Sequence, residues 1–367
     1  MTRRALVSVH STPLAPNSSE VVMRSRSYSI PLVLSLSLLA CTGDTGPAGP
    51  PGMDGADGSP GANGADGADG SPGADGADGA PGGCLSASTL PLVDPEGVAA
   101  DTDGGLYVGS IATGEVVRFA PCDVVPEVIV AAGTLVRNAV GLLVDRDESV
   151  LWACDSDVTF ASPTALVGID LATGAERARH VFEAGSFCND LAQAADGTLY
   201  ATDSSRHAIV RVDGDARFED GEVEVWSDDA AFTRPMGEFG LNGVVVADDA
   251  VYAVVYASGQ LFRVPFADGG AAGAPSEVTL DRALRLPDGV EWLGDDLLVV
   301  EGSGALSRVA LAEGTVTELA TRLDTPATVA IVGRSAWITE GQLDHLLGFD
   351  PSPALLPFQL VRVTLPE

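Results

Sequence analysis

From Cys84 onward, short apolar runs alternate with turns that contain Asp and Gly. One copy of this pattern extends from Glu96 to Phe119, and its β-rich runs are Leu106 to Ser110 and Glu115 to Phe119. The pattern recurs about every 40 to 50 residues, a period typical of radial or stacked repeats. Later copies begin near Gly141, Asn189, Asn242, Asp288 and Ala327. Evenly spaced short strands predict an all-β fold, a six-bladed β-propeller over residues 84–367.

A propeller ring needs a closing contact between its first and last segments. The apolar stretch from Leu85 to Leu92 and the stretch from Phe358 to Leu365 both have strand-like patterns. We expect them to pair in the last blade, which would join the two ends of the domain.

Residues 41–83 have a different pattern, because Gly occupies every third position from Gly43 to Gly82. Only Gly fits the axis of a collagen triple helix, so this segment is predicted to be a collagen-like stalk. A homotrimer would follow from a triple helix. Pro is sparse, however, and the recurring Asp residues have no basic partner in the segment, so a solvated linker is an equal alternative.

Residues 1–40 resemble a secretory signal segment, with a start at Met23 favoured over Met1. Arg24 and Arg26 precede an apolar run that is too short to span a bilayer and that ends in Leu-Leu-Ala before Cys41. This arrangement resembles the bacterial lipobox, which implies lipidation of Cys41 and a membrane anchor. Thr42 resembles the residue found in lipoproteins of the outer membrane. The alternative is an ordinary signal peptide that releases the same domain in soluble form.

The charge of the chain restricts its partners. There are 20 basic and 52 acidic residues, a formal net charge of −32, and every basic residue is Arg. Nucleic acid is therefore not expected as a partner, and chemistry that needs a Lys is excluded. A serine hydrolase is also disfavoured, because the chain has no Gly-x-Ser-x-Gly motif.

Four cysteines remain besides Cys41, and a chain routed to an oxidising compartment would pair them. We favour disulfides Cys84–Cys122 and Cys154–Cys188, each of which would join neighbouring blades or close the ring. Weaker alternatives are a nucleophilic thiol at Cys188 and a zinc site, for which tight Cys-x-x-Cys spacing is missing.

Oxygen-bearing side chains recur where the innermost strand of a blade begins, a position that faces the central channel. They are Glu96, Asn189, Asn242 and Asp288. Two carboxylates and two amides suit a hard divalent cation, most simply calcium, with magnesium or zinc as alternatives. The competing interpretation is turn and strand-cap chemistry, because Asn and Asp before Gly are common in turns.

The order Glu-Gly, Asn-Asp, Asn-Gly and Pro-Asp-Gly resembles the family of regucalcin (senescence marker protein), gluconolactonase and luciferin-regenerating enzyme. The resemblance covers nearly all of residues 90–367 and implies a six-bladed propeller with one divalent cation in its channel. Glu96, Asn189, Asn242 and Asp288 would be the ligands, and Asp288 would also be the catalytic base.

Two departures weaken the prediction of a sugar substrate. Gly185-Ser186-Phe187-Cys188 stands where lactonases of the family tend to have an Arg, and Val98-Ala99-Ala100 replaces a Pro and Trp.

The sequence therefore predicts a surface-anchored, metal-dependent hydrolase of a lactone or ester acting on a small molecule. The alternative is a non-catalytic binding or adhesion propeller, and a weaker possibility is a lyase, since the blade motifs also resemble streptogramin lyase and strictosidine synthase.

Asp155, Asp203 and Glu301, at the ends of second strands, are predicted to be solvated. The four tryptophans Trp152, Trp226, Trp292 and Trp337 are predicted to lie in the core between blades.

Overall fold

The computed structural model describes residues 88–145, 147–235 and 238–366. The predicted signal segment, the lipidation site at Cys41, the collagen-like stalk and Cys84 all lie outside these residues. In the described part no helix is long and apolar enough to cross a membrane.

Strands are the main regular elements of the described chain. The strands are β1 (Ser88–Thr89), β2 (Pro95–Ala100), β3 (Leu106–Ser110), β4 (Val116–Phe119), β5 (Glu127–Val130), β6 (Ala139–Asp145), β7 (Val150–Asp155), β8 (Ala165–Asp170), β9 (Glu176–Val181), β10 (Cys188–Gln193), β11 (Leu199–Asp203), β12 (Ala208–Val212), β13 (Gly221–Glu222), β14 (Glu224–Ser227), β15 (Leu241–Val246), β16 (Ala250–Val255), β17 (Gln260–Pro265), β18 (Ser276–Glu277), β19 (Pro287–Leu293), β20 (Asp296–Glu301), β21 (Ala305–Ala310), β22 (Thr315–Thr321), β23 (Pro326–Val332), β24 (Ser335–Glu340) and β25 (Gln359–Thr364). Short 3₁₀ helices span Gly214–Ala216, Ala230–Phe232 and Asp268–Gly270, and one helical turn, α1, spans Leu343–Leu346.

These strands form six antiparallel sheets, which confirms the predicted six-bladed propeller. The sheets are β2-β3-β4-β5, β6-β7-β8-β9, β10-β11-β12-β14, β15-β16-β17-β18, β19-β20-β21-β22 and β23-β24-β25-β1, numbered here as blades 1 to 6. β13 adds to the outer edge of blade 2 by pairing in parallel with β9. Covered edges of this kind limit pairing with other chains.

The ring closes as the sequence predicts. In blade 6 the outermost strand comes from the N-terminal side of the domain, with Ser88 opposite Leu360 and Thr89 opposite Gln359. The closing contact joins the first and last parts of the domain by backbone hydrogen bonds.

Apolar side chains are buried between adjacent blades rather than in one central core. Six clusters fill the six interfaces, and the cluster between blades 6 and 1 brings Trp337 and Leu360 against Val98 and Leu106. Both faces of each blade are thus covered, which explains the continuous apolar runs in the sequence.

A disulfide joins Cys154 on β7 to Cys188 at the start of β10, with the two Cα atoms 5.4 Å apart. It connects blades 2 and 3, as predicted from the sequence. Cys122 is disulfide-bonded as well, while its expected partner Cys84 lies outside the described residues.

The carboxylates at the ends of second strands are buried, so the prediction that they are solvated was wrong. Asp155, Asp203 and Glu301 are at most 2% exposed. Each accepts a backbone N–H from the segment that enters its own blade: from Arg137, Phe187 and Arg285 respectively. Because buried N–H groups need acceptors, these side chains fix the approach to the inner strand.

Candidate metal centre in the channel

Each inner strand begins with the same irregularity. Its pairing with the second strand is shifted after the first residue, as between Pro95 and Val98 on β2 and between Pro287 and Val290 on β19. The same shift occurs on β6, β10, β15 and β23. A bulge of this type redirects a side chain locally, and Glu96, Asn189, Asn242 and Asp288 all occupy its first position.

Glycine after the first bulge residue allows adjacent inner strands to approach closely. A Cβ atom on Gly97 would lie 2.1 Å from the carbonyl oxygen of Val140 on the next blade. A Cβ atom on Gly243 would lie 2.2 Å from the carbonyl oxygen of Asp288. The Glu-Gly and Asn-Gly motifs thus have a packing reason in addition to any role in chemistry.

The four predicted ligands are buried at this end of the channel. Glu96, Asn189, Asn242 and Asp288 are 3 to 7% exposed. Asn242 forms a side-chain hydrogen bond to the carboxyl of Asp288, and the charge of Asp288 acts on Glu96. These interactions bring three of the four residues together. Asn189 has the same position on β10, and its side chain has no described contact with the other three.

Two buried oxygen atoms of this group have no hydrogen-bond partner: Oε2 of Glu96 and Oδ1 of Asn242. A buried polar atom without a partner costs roughly 1 to 3 kcal/mol, and more when it is charged. Unpartnered oxygens in a native channel therefore point to a cationic ligand, and their chemistry suits a hard divalent ion.

Asp190 belongs to the same cluster, although it was not among the residues predicted from the sequence. Its carboxyl accepts the backbone N–H groups of Leu191 and Val244, at 2.9 and 3.2 Å. It occupies the position where Gly97, Gly141, Gly243 and Gly289 stand in other blades. A carboxylate at a position that is glycine in four other blades is the sequence feature that could have identified Asp190 as part of the site.

Burial is the main cause of the raised pKa values in this cluster. It raises the pKa of Glu96 well above its usual range, and the negative charges of Asp288 and Asp190 add to the effect. Burial and the charge of Asp190 likewise raise the pKa of Asp288. Burial raises the pKa of Asp190 to about 7, against the lowering effect of its two backbone hydrogen bonds. Among the described residues, no Arg forms an ion pair with these three carboxyl groups, so a bound cation would provide the missing charge.

Four aromatic rings form a row on loops at the end where the inner strands begin. Phe160 and Phe187 have centroids 6.1 Å apart, Phe187 and Phe239 are 6.5 Å apart, and Phe239 and Tyr256 are 6.0 Å apart. Phe187 belongs to the segment Gly185-Ser186-Phe187-Cys188, where lactonases of the family named above tend to have an Arg. Burial, with the charges of Asp288 and Asp344, raises the pKa of Tyr256 to about 12.

A cavity occupies the other half of the channel, and none of the four predicted ligands lines it. Its volume is about 1150 Å³, and its walls include Asp190, Glu291, Trp292 and Thr328. Asp190 therefore faces the cavity and also interacts with the buried cluster. Trp152, Trp226 and Trp337 lie in the interfaces between blades as predicted. Trp292 also packs against the cluster between blades 4 and 5, and it lines the cavity as well.

No family model and no curated protein matches this chain. Several solved structures do match it. A gluconolactonase from Xanthomonas campestris is 18% identical with a TM-score of 0.53, covering 74% of this chain and 86% of its own. A calcium-binding regucalcin from Agrobacterium tumefaciens is 16% identical with a TM-score of 0.53, covering 76% and 94%.

A third structure, an aldose sugar dehydrogenase from Streptomyces coelicolor with bound PQQ, is 15% identical with a TM-score of 0.53, covering 76% and 98%. The chain shares the six-bladed fold of the gluconolactonase and the regucalcin. At these identities the similarity establishes the fold, and function has to be argued from the site.

Proposed function

We propose that this protein is a divalent-metal-dependent hydrolase of a lactone or ester. In this proposal it is held at the bacterial outer membrane by a lipid on Cys41 and extended by the collagen-like stalk, with calcium as the most suitable ion. The unpartnered oxygens of Glu96 and Asn242, within a cluster of carboxyl groups without a counter-charge, are the observation that supports it.

Glu96, Asn189, Asn242 and Asp288 would hold the ion. A bound divalent cation polarises a substrate carbonyl and lowers the pKa of water. The amide of Asn242 hydrogen-bonds to Asp288 and fixes the orientation of that carboxyl.

Asp288 would serve as the base. Its ionised carboxyl accepts a proton from the attacking water as the water oxygen bonds to the acyl carbon. The acyl–oxygen bond of the substrate then breaks, and Asp288 returns the proton to the leaving oxygen. Tyr256, whose pKa is raised to about 12, keeps its hydroxyl proton at neutral pH and can donate a hydrogen bond at the channel mouth.

Phe187 is itself buried, but the neighbouring rings of Phe160, Phe239 and Tyr256 are exposed or partly exposed. They offer apolar contact area near the segment where an Arg would bind sugar hydroxyls. This composition favours a lactone or ester with an apolar substituent over a sugar lactone.

Activity measurements test the proposal directly. The full chain, stripped with EDTA and then supplied with calcium, magnesium or zinc, would be assayed by pH-stat on aliphatic lactones, a sugar lactone and phenyl esters. We expect turnover that requires the metal and falls at least about a hundredfold in Asp288→Asn. The control is Glu313→Gln, an exposed residue whose replacement removes the same charge. Turnover that is unchanged by EDTA, or retained in Asp288→Asn, would contradict the proposal.

A non-catalytic binding propeller is the second candidate, and one observation favours it. The four predicted ligands are almost fully buried, while the cavity of about 1150 Å³ lies in the other half of the channel. Metal binding without turnover of any substrate in the panel would support this second function.

A further inference from the structure

A second cavity lies between blades 2 and 3, with residues of β9 and β13 on one side and residues of β12 and β14 on the other. Its volume is about 300 Å³. Glu183, Arg206 and Glu222 line it and are exposed, whereas Ser186 and Asp203 line it and are buried. The cavity therefore opens to solvent beside charged residues and has two polar side chains at its buried end.

Asp203 lacks the cations that accompany the equivalent carboxylate of blade 2. Asp155 ends β7 as Asp203 ends β11, and Oδ2 of Asp155 lies 3.1 Å from Arg137 and 3.2 Å from Arg179. Oδ1 of Asp203 accepts three backbone N–H groups. Among the described residues, no arginine side chain forms an ion pair with either oxygen of Asp203.

Two basic residues near Asp203 do not neutralise it. The guanidinium of Arg206 forms its ion pair with Glu183 at the opening of the cavity. Asp203 acts electrostatically on His207, but burial, together with the charge of Arg234, lowers the pKa of His207, so its ring is neutral at neutral pH. A buried carboxylate without a cation is unfavourable, and a bound cation in the cavity would relieve this.

The sequence explains the difference between the two blades, because both arginine positions of blade 2 hold apolar residues in blade 3. Arg137 and Phe187 are equivalent, since each donates its backbone N–H to the carboxylate of its own blade. Arg179 on β9 and Val225 on β14 are also equivalent: each is paired with the residue two places after the one opposite the carboxylate. Because Val225 lines the cavity, the cavity lies where the guanidinium of Arg179 is found in blade 2.

Ser186 provides a second, independent observation. It is 4% exposed, and its hydroxyl has no hydrogen-bond partner. Buried polar atoms in native proteins are nearly always partnered, so this hydroxyl points to a ligand in the cavity that it lines. A guanidinium group has a planar set of N–H donors that suits a carboxylate and a neighbouring hydroxyl oxygen. Val181, Phe182 and Val210 form apolar wall beside them, which suits an alkyl chain.

We propose that this cavity binds an alkylguanidinium group, which donates N–H groups to Oδ2 of Asp203 and to the hydroxyl oxygen of Ser186. The bound group takes the place that Arg179 fills in blade 2. The proposal goes beyond hydrolysis in the channel and does not depend on it, because neither Asp203 nor Ser186 is a predicted metal ligand or lines the channel cavity.

Butylguanidinium is the probe for this site, and butylurea is its neutral control of nearly the same shape. Each would be titrated into the full chain by calorimetry in 0.15 M NaCl and excess calcium, so that any metal centre is filled. We expect saturable binding of one butylguanidinium per chain, and binding of butylurea that is at least about tenfold weaker. Absence of saturable binding, or equal affinity for butylurea, would overturn the inference.

Variants that remove the polar groups locate the site. Asp203→Asn keeps an acceptor for the backbone N–H groups but loses the charge, and it should weaken binding at least about tenfold. Ser186→Ala should weaken binding about threefold, whereas Glu313→Gln, which removes a charge from an exposed turn, should leave affinity unchanged. Far-ultraviolet circular dichroism checks that each variant is folded. Unchanged affinity in Asp203→Asn, or binding that is lost only in Asp288→Ala, would overturn the inference.

A third variant supplies the missing guanidinium from the chain itself. Val225 is 47% exposed, so Val225→Arg leaves the core intact, and its guanidinium should reach Asp203 as Arg179 reaches Asp155. Probe binding should then fall at least about tenfold, and the urea midpoint should rise. Val128→Arg is the matched control, since Val128 is 52% exposed on the outer strand of blade 1. Native affinity in Val225→Arg would contradict the equivalence with Arg179 on which the inference rests.

A guanidinium group occurs both in free compounds and in arginine side chains, and a blocked tripeptide with a central arginine distinguishes these sources. Tighter binding of the tripeptide than of butylguanidinium assigns the site to an arginine of a protein partner, and weaker binding assigns it to a free compound. Both results support a guanidinium site. If lactone hydrolysis fails while the probe still binds at Asp203, the proposed hydrolase function falls and this inference stands.

Discussion

In the metal-free protein, Asp190 should make stability fall as the pH rises. Its pKa is about 7 in the folded state, against an ordinary value of 3.8 that applies to the unfolded chain. Between these two values the folded protein holds a proton that the unfolded chain has released. The free energy of unfolding therefore decreases with rising pH over this range. At about 1.36 kcal/mol per pH unit, the full difference corresponds to roughly 4 kcal/mol.

Asp190→Asn removes this titration. The carboxyl of Asp190 now accepts hydrogen bonds from the backbone N–H groups of Leu191 and Val244, one on each oxygen. In the variant, the side-chain NH₂ group of Asn will face one of these donors and cannot accept its hydrogen bond. That mismatch costs about 1 to 3 kcal/mol at every pH, so it shifts the curve without changing its slope. Between pH 4.5 and 8, the stability of the variant relative to the native protein should rise by roughly 3 kcal/mol.

Urea unfolding in EDTA, followed by tryptophan fluorescence at half-unit pH intervals, measures this difference. Glu301→Gln is a control of opposite sign. Burial acts to raise the pKa of Glu301, but hydrogen bonds from Arg282, Ser307 and the backbone of Arg285 outweigh it and hold the pKa below its usual range. The ionised carboxylate of Glu301 therefore stabilises the folded protein at neutral pH, and this contribution is lost as the pH falls. Parallel pH profiles for the native protein and Asp190→Asn would refute the reasoning.

Three further substitutions test the packing of the propeller. Gly97→Ala should lower the free energy of unfolding by about 1 to 3 kcal/mol, because the added Cβ would clash with the backbone of the next blade. Gly221→Ala is the control: the atom nearest to its Cβ would be 3.8 Å away, so the substitution should cost less than about 1 kcal/mol. Equal losses in urea titrations would contradict this packing argument. Replacing Cys154 and Cys188 with Ser opens a loop of sequence separation 34 and should cost about 3 to 4 kcal/mol, measured against the oxidised native protein. A loss below 1 kcal/mol would contradict this estimate. Arg282→Ala leaves the buried carboxylate of Glu301, at the end of β20, without its closest cation, and should lower the free energy of unfolding by about 3 to 5 kcal/mol. A loss below 1 kcal/mol would show that this ion pair contributes little to stability.

The architecture could be predicted because the repeat is local. Each blade carries its own strand runs and turns, and the start of each inner strand is marked by residues such as Glu96-Gly97 and Asn242-Gly243. Glycine is required there because neighbouring backbones approach closely. The same repeat position brings Glu96, Asn242 and Asp288 together, so the cluster could also be predicted from the sequence.

The remaining features depend on contacts that are distant in sequence. Asp155 and Glu301 were expected to be exposed because they precede turns, yet Arg137 and Arg282 lie over them from separate segments. The role of Asp190 depends on the bulge that directs its carboxyl towards Val244 on the next blade. The cavity in the channel is lined by residues of all six inner strands, so its shape depends on contacts between blades that strand patterning does not describe.

The central claim is that the buried cluster binds one divalent cation. Calorimetric titration of the EDTA-stripped full chain with calcium, magnesium and zinc tests it most directly, with Asp288→Ala as the site variant and Glu313→Gln as the matched control. We expect one ion per chain, with binding retained in Glu313→Gln and lost in Asp288→Ala. Absence of binding in the native protein, or equal binding in Asp288→Ala, would contradict the claim and leave these carboxyl groups as turn and strand-cap residues.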